Sequence, residues 1–221
     1  MRGRFITFEG GEGSGKSTHA KRLAEHLKSL GIDVVVTREP GGSPGAEVIR
    51  HILLSGIAKP LGAETETILF AAARDDHVRT VIRPALVDGK WVICDRFIDS
   101  TRVYQGVLGH VDMKLIHSLE RVTVGAAMPD LTFILDVPAS VGLARATHRR
   151  GSGAVDRFEA EAVEFHEGLA RAYRTLATDE PQRIVMVDGR PPRDVVARRI
   201  WDAVNERLHP ERVTIAESAA P

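Results

Sequence analysis

The sequence predicts an α/β fold: a five-stranded parallel sheet with helices on both faces and a small lid. Three observations predict it. Short β-branched or aromatic runs alternate with longer stretches whose apolar residues recur at helical spacing. Glycine, proline and polar clusters separate them. One strand, Leu131 to Val137, is almost wholly apolar, the mark of burial on both faces.

The elements follow in order. Arg4 to Phe8 supplies the first strand through Phe5, Ile6, Thr7 and Phe8. Ala20, Leu23, Ala24, Leu27 and Leu30 then share one face of a helix from Ser17 to Leu30, and Gly31 stops it. Asp33 to Thr37 is the second strand, closed by the loop REPGGSPG. A helix is expected from Ala46 to Leu54, and a longer one from about Glu64 to Val81, ended by Pro84 at the latest. Trp91 to Asp95 is the third strand, and Asp112 to Val124 reads as a helix. After the fourth strand, Ser140 to Thr147 starts another helix. The polar segment HRRGSGAVDR interrupts before a helix at about Glu159 to Thr175. Arg183 to Val187 is the fifth strand and Arg193 to Leu208 the last helix. The expected organisation is one domain over residues 1–208, with a lid at about 145–158. The tail, residues 209–221, has no partner for its few apolar side chains and is expected to be disordered. In such a layout ligands gather at the C-terminal ends of the strands.

Composition narrows the function. Lysine plus arginine equals aspartate plus glutamate, 30 against 30, so no global basic field marks a dedicated nucleic-acid binder. Any anion site must be local. Cys94 is the sole cysteine, which excludes an intrachain disulfide and a cysteine metal cluster. The start, MRGRFITFEGG, lacks a signal-peptide pattern, and no run reaches the apolar length of a membrane span. The expected setting is the cytoplasm, with no membrane partner.

The segment FEGGEGSGKST, residues 8–18, carries the clearest motif. Gly10, Gly15, Lys16 and Ser17 match G-x-x-x-x-G-K-[ST], with a strand before and a helix after. This is a P-loop, and the fold expected around it is that of the P-loop NTPases. Gly10, Gly11, Gly13, Ser14, Gly15, Lys16, Ser17 and Thr18 would hold the phosphates of ATP through backbone N–H groups and the helix N-terminus. Lys16 can reach the β- and γ-phosphates, and the Ser17 hydroxyl can ligate Mg²⁺. Asp95, ending the third strand, suits a contact to the same ion.

DRFIDSTRVYQG begins at Asp95, and its Arg96 would project into the same crevice, where a guanidinium suits a phosphate. Phe70 and Arg74 in LFAAARDDH lie four residues apart on one helix face. They could stack on a nucleobase and read its edge, yet spacing alone favours a core phenylalanine beside a solvated arginine.

FEGGEGSGKST, TREPGGS, LFAAARDDH, PALVDGKWVICDR, DRFIDSTRVYQG, PDLTFILDV and DRFE occur in this order. Together they resemble the thymidylate kinase family, from about Phe5 to Leu208. The resemblance implies transfer of the γ-phosphoryl of ATP to dTMP, with Mg²⁺. It implies that Phe70 stacks on thymine, that Arg74 donates to a ring carbonyl, and that Thr101 sits at the base edge. Tyr104 would pack against the sugar. Arg96, with Arg50, would hold the dTMP phosphate, and Arg38 would line the phosphate end of the cleft. Ser100 and Gln105 match the acceptor-loop pattern. Glu12 would accept a hydrogen bond from the sugar 3′-hydroxyl. Some members carry an arginine in the phosphate loop; here that position is Gly13. The implied catalytic cations are therefore Lys16, Arg96 and the lid arginines Arg149 and Arg150, with Arg145 and Arg157 nearby. A homodimer packed through helices is implied as well.

Two alternatives remain open: a kinase for another nucleoside monophosphate, and a regulatory ATP-binding protein without an acceptor. His19, His26, His51, His77 and His117 lack metal spacing and read as structural or surface residues. Cys94, Trp91 and Trp201 read as packing residues. Glu159, Glu161, Glu164 and Glu167 read as a solvated helix face.

Overall fold

A computed structural model of the chain describes residues 2–150, 158 and 160–210. Its elements are β1 (Phe5–Glu9), α1 (Lys16–Ser29), β2 (Val34–Arg38), α2 (Pro44–Leu54), α3 (Gly62–His77), α4 (Arg83–Val87) and β3 (Trp91–Asp95). There follow α5 (Ile98–Thr101), α6 (Met113–Thr123), β4 (Leu131–Asp136), α7 (Ala139–Arg150), α8 (Val163–Asp179), β5 (Ile184–Asp188) and α9 (Arg193–Leu208). The five strands form one sheet in the order β2-β3-β1-β4-β5. Every pairing is parallel, with Phe8 opposite Asp95 on one side of β1 and opposite Phe133 on the other.

The period-two geometry of a strand divides β1 between the two faces. Ile6 and Phe8 join Leu23 and Leu27 of α1 and Val196, Ile200 and Val204 of α9 in one core. Phe5 faces the other way, with Val78, Ile82, Leu86 and Phe97. Thr7 shares that second face, its hydroxyl 2.7 Å from that of Thr132. A third cluster joins Val103, Tyr104 and Ile134 to Leu169 and Tyr173 of α8.

The helix expected to end by Pro84 does not end there. After α3 a wide π turn, Val78–Ile82, leads directly into α4, which contains Pro84. Proline lacks an N–H and crowds the carbonyl four residues before it. The wider turn gives that carbonyl room, so the chain stays helical. Residues 145–150, expected to belong to the lid, form the end of α7. The helix expected from Glu159 starts instead at Val163, since Ala162 holds an extended conformation. Residues 151–157, with Arg157, Glu159, the side chain of Arg150 and the tail from 211 to 221, lie outside the described residues. No helix among the described residues is long and apolar enough to cross a membrane.

DRFIDSTRVYQG is helical throughout its second half: α5 runs on into a π turn, Arg102–Leu108. Polar side chains bind it to the sheet. Arg183 donates to both Asp99 oxygens, at 2.7 and 2.8 Å, and to Thr132. Arg102 forks onto both oxygens of Glu120, at 2.7 and 2.8 Å. Each charge in this buried network has an opposite partner, which low-dielectric burial requires.

Candidate active site

The phosphate loop closes tightly between β1 and α1. Gly13 has a φ of +63°, and a Cβ there would stand 1.9 Å from the Gly142 carbonyl oxygen of α7. A Cβ on Gly142 would stand 2.3 Å from the Glu12 carbonyl oxygen. The loop and α7 therefore meet backbone to backbone, and no side chain fits at Gly13. Lys16 is buried, and its Nζ donates to the carbonyl oxygens of Gly10 at 3.1 Å and Gly11 at 2.8 Å. Burial lowers its pKa, and the Arg96 charge adds to the effect. The Ser17 hydroxyl donates to Asp95 Oδ2. Ser14 is buried behind the loop.

A cavity of about 480 Å³ opens at the C-terminal ends of β1, β2 and β3. Glu12, Gly13, Gly15, Lys16, Ser17 and Thr18 reach it from the phosphate loop and the start of α1. Phe70 and Arg74 reach it from α3, and Arg96, Ser100, Thr101, Tyr104 and Gln105 from the loop and helix after β3. Arg38, Arg50, Asp95 and Arg149 line it too. Thus nearly all the expected site residues converge. Gly10 and Gly11 stand behind the loop, against a smaller cavity. Arg145 turns away, donating to the Gly189 carbonyl at 3.2 Å.

Arg96 and Glu12 form an ion pair inside the cavity. Burial opposes the charged carboxyl of Glu12, but Arg96, Lys16 and Arg149 outweigh it and hold the pKa at about 2. Arg96 has a φ of +71°, a left-handed conformation unusual for a residue with a side chain. Its guanidinium lies 5.2 Å from the Tyr104 ring centroid and donates to Ser100 Oγ at 3.3 Å. Arg38 pairs with Glu47 at 2.8 Å, and Arg50 donates to the Pro40 carbonyl.

The solvated arginine that spacing favours is not what forms. Arg74 is only 4% exposed, held by Glu39, Thr101 and the Phe97 carbonyl. Phe158 lies opposite, its ring 6.3 Å from Phe70 and 5.4 Å from Tyr104.

Sequence reasoning missed Glu9. This carboxylate is fully buried and gathers four donors: Phe97 N at 2.7 Å, Ser100 N at 3.2 Å, Ser100 Oγ at 2.7 Å and Tyr173 Oη at 2.9 Å. It occupies the x-position before the glycine motif, where the pattern asks for nothing. A charged residue ending an otherwise apolar buried strand was the available signal. Burial and the neighbouring Asp99 carboxylate push its pKa up to about 7, against Arg96 and the hydrogen bonds. Glu39, the partner of Arg74, and His77, the partner of Glu39, were also missed.

The raised pKa of Glu9 makes a prediction. Its folded pKa of about 7 exceeds the ordinary 4.5, so the folded chain takes up the proton first as pH falls. The cost of the buried charge is present above pH 7 and fades toward pH 4.5, with a slope of at most about 1.4 kcal/mol per pH unit. Urea unfolding from pH 5 to 8 should show the wild type losing stability relative to Glu9→Gln as pH rises. Parallel curves for the two proteins would contradict the shift.

Comparison with known proteins agrees with this geometry. The thymidylate kinase family model matches residues 8–200. A thymidylate kinase of Bradyrhizobium diazoefficiens is 60% identical over 214 residues, 97% of this chain and 94% of that protein. One from Nitrobacter winogradskyi is 63% identical over 207 residues, 94% of this chain and 90% of that protein. The crystal structure of a thymidylate kinase from Ehrlichia chaffeensis superposes with a TM-score of 0.73 at 33% identity, covering 92% of this chain and 99% of that one. With a P-loop, arginines and aromatic side chains around one cavity at the strand ends of a parallel sheet, the chain belongs to the thymidylate kinase family.

Proposed function

We propose that this protein transfers the γ-phosphoryl group of ATP to dTMP, giving dTDP and ADP, with the residues of the cavity in the roles that follow. One observation carries the reading: the phosphate loop and the side chains Phe70, Arg74, Arg96 and Tyr104 line the same cavity. A regulatory ATP-binding protein would have no use for the second set.

Arg74 has its Nε and Nη2 engaged, which leaves Nη1 to donate to a keto oxygen of thymine. Phe70 offers its ring to the base. Tyr104 is buried against Arg96 and closes the space beside the sugar. Arg96 holds the acceptor phosphate with Arg50, and Glu12 then turns from Arg96 to the 3′-hydroxyl. The depressed pKa of Glu12 keeps it an acceptor at neutral pH. Arg38, Ser100, Thr101 and Gln105 complete the acceptor wall. On the donor side, backbone N–H groups of residues 10–18 and Lys16 hold the ATP phosphates.

The oxygens of Ser17 and Asp95, already in contact, suit a hard cation and would hold the Mg²⁺ that accompanies ATP. That ion supplies positive charge to the phosphate oxygens. The acceptor phosphate oxygen is itself a nucleophile near neutral pH, so no side chain need remove a proton. The protein aligns the two nucleotides, neutralises charge with Lys16, Arg96 and Arg149, and excludes water. Arg150 is included in this set on the family resemblance alone. A cytoplasmic setting accords with a lone, buried cysteine thiol. A homodimer is supported by apolar side chains left in solvent on three helices: Val48 on α2, Ile68 on α3 and Val122 on α6.

An ADP-release assay with a panel of monophosphates should give dTMP the highest kcat/KM; equal or better use of dCMP, AMP or GMP would refute the substrate. Arg149→Ala should lower kcat by roughly 10²-fold or more while KM for dTMP moves less than about threefold. Unchanged turnover would remove Arg149 from the catalytic set. Sedimentation equilibrium should find a dimer that Val122→Glu weakens; a monomeric wild type would end the dimer reading.

A further inference from the structure

The motif TREPGG contributes Arg38, Glu39 and Pro40 to the cavity wall, and the partners of Glu39 behind that wall are so far unexplained. Three of its positions converge on a single buried ring. Thr37 Oγ1 lies 2.6 Å from His77 Nε2, and His77 Nδ1 lies 3.0 Å from Glu39 Oε1. A Cβ on Gly42 would stand 2.4 Å from Thr37 Oγ1 and 2.5 Å from His77 Nε2, so the loop approaches the ring only through glycine. The other Glu39 oxygen accepts from Arg74 Nε at 2.8 Å. His77 is wholly buried and Glu39 and Arg74 nearly so.

We propose that Thr37, His77 and Glu39 form a hydrogen-bonded clamp that positions the Arg74 guanidinium and so sets the preference for a keto base over an amino base. The inference rests on the reading of Arg74 as the base-edge donor.

The chemistry of the chain is self-consistent. An ionised carboxylate only accepts, so Nδ1 of His77 carries the proton and donates to Glu39. In the neutral ring Nε2 then accepts from the Thr37 hydroxyl. Glu39, fixed at one oxygen by His77, fixes Nε of Arg74 at the other. Nη2 is fixed by Thr101 Oγ1 at 3.0 Å and the Phe97 carbonyl at 3.2 Å. The planar guanidinium, held at two of its three nitrogens, can present Nη1 in one direction only. A ring carbonyl accepts there. The exocyclic amine of cytosine would set donor against donor and leave both unpaired. Discrimination of this kind needs a donor that cannot swing aside, and the clamp supplies that rigidity. Thr37 and His77 lie behind the cavity wall and Glu39 acts through Arg74, so these three are positioning residues.

Loosening the far end of the clamp tests it while leaving the Glu39–Arg74 ion pair in place. Thr37→Val removes the hydroxyl at nearly constant volume, and His77→Asn removes the ring. Each should raise KM for dTMP about fivefold to tenfold and lower the dTMP:dCMP ratio of kcat/KM by a similar factor, as the loss of one positioning hydrogen bond requires. KM for ATP and kcat with saturating dTMP should stay within about twofold. Thr37→Ser keeps the hydroxyl and should restore wild-type values. Variants that melt earlier but keep the wild-type KM and ratio would overturn the proposal and leave the cluster a packing feature. A wild-type enzyme with no preference for dTMP over dCMP would overturn the underlying assignment of Arg74 and the clamp with it, a result separable from the first because it appears before any substitution.

Discussion

The Glu9 carboxylate is the constraint on which the site depends. A charge at the end of the central strand, 0% exposed, survives only where donors surround it. Here the donors come from elsewhere in the chain: two from the backbone and one from the side chain of the segment after β3, and one from α8. Satisfying Glu9 therefore places Ser100, and Ser100 meets Arg96. The turn through Arg96 takes a left-handed backbone, a strain the surrounding hydrogen bonds hold in place. Arg96 is thus located by a residue that does not line the cavity.

Charge in the cavity is arranged in opposed layers. Lys16 and Arg96 repel each other across the phosphate loop, and the Arg96 charge adds to the burial that lowers the Lys16 pKa. Glu12 stands between them and is held ionised by both, with help from Arg149. A single exposed loop acid would do little in water. In this enclosed place the same carboxylate keeps two cations near one another.

The legible and illegible parts of the sequence divide along physical lines. The five strands, the α1 and α9 helices and the P-loop were read correctly because each is specified locally: a period of two, a period of 3.6, or a spacing set by one turn. Element ends moved by a residue or so where ladder hydrogen bonds decided them. Pro84 misled because a local rule was overridden by a wider turn just before it. Phe70 and Arg74 were legible only through family resemblance, since four-residue spacing equally describes a core residue and a solvated one. Glu9, Glu39 and His77 were not legible. Their partners lie 88, 35 and 40 residues away, and no pattern along the chain announces such meetings.

The seam between Gly13 and Gly142 turns α7 into a rigid arm with its fulcrum on the donor loop. Arg149 sits seven residues further along that arm, about 10 Å from the pivot at 1.5 Å per residue. A tilt of about 10° at the seam sweeps the arginine head through roughly 2 Å, comparable to the difference between a hydrogen bond and none. Because the contact is backbone on backbone, with no side chain to give way, where the loop sits fixes where that arginine can reach.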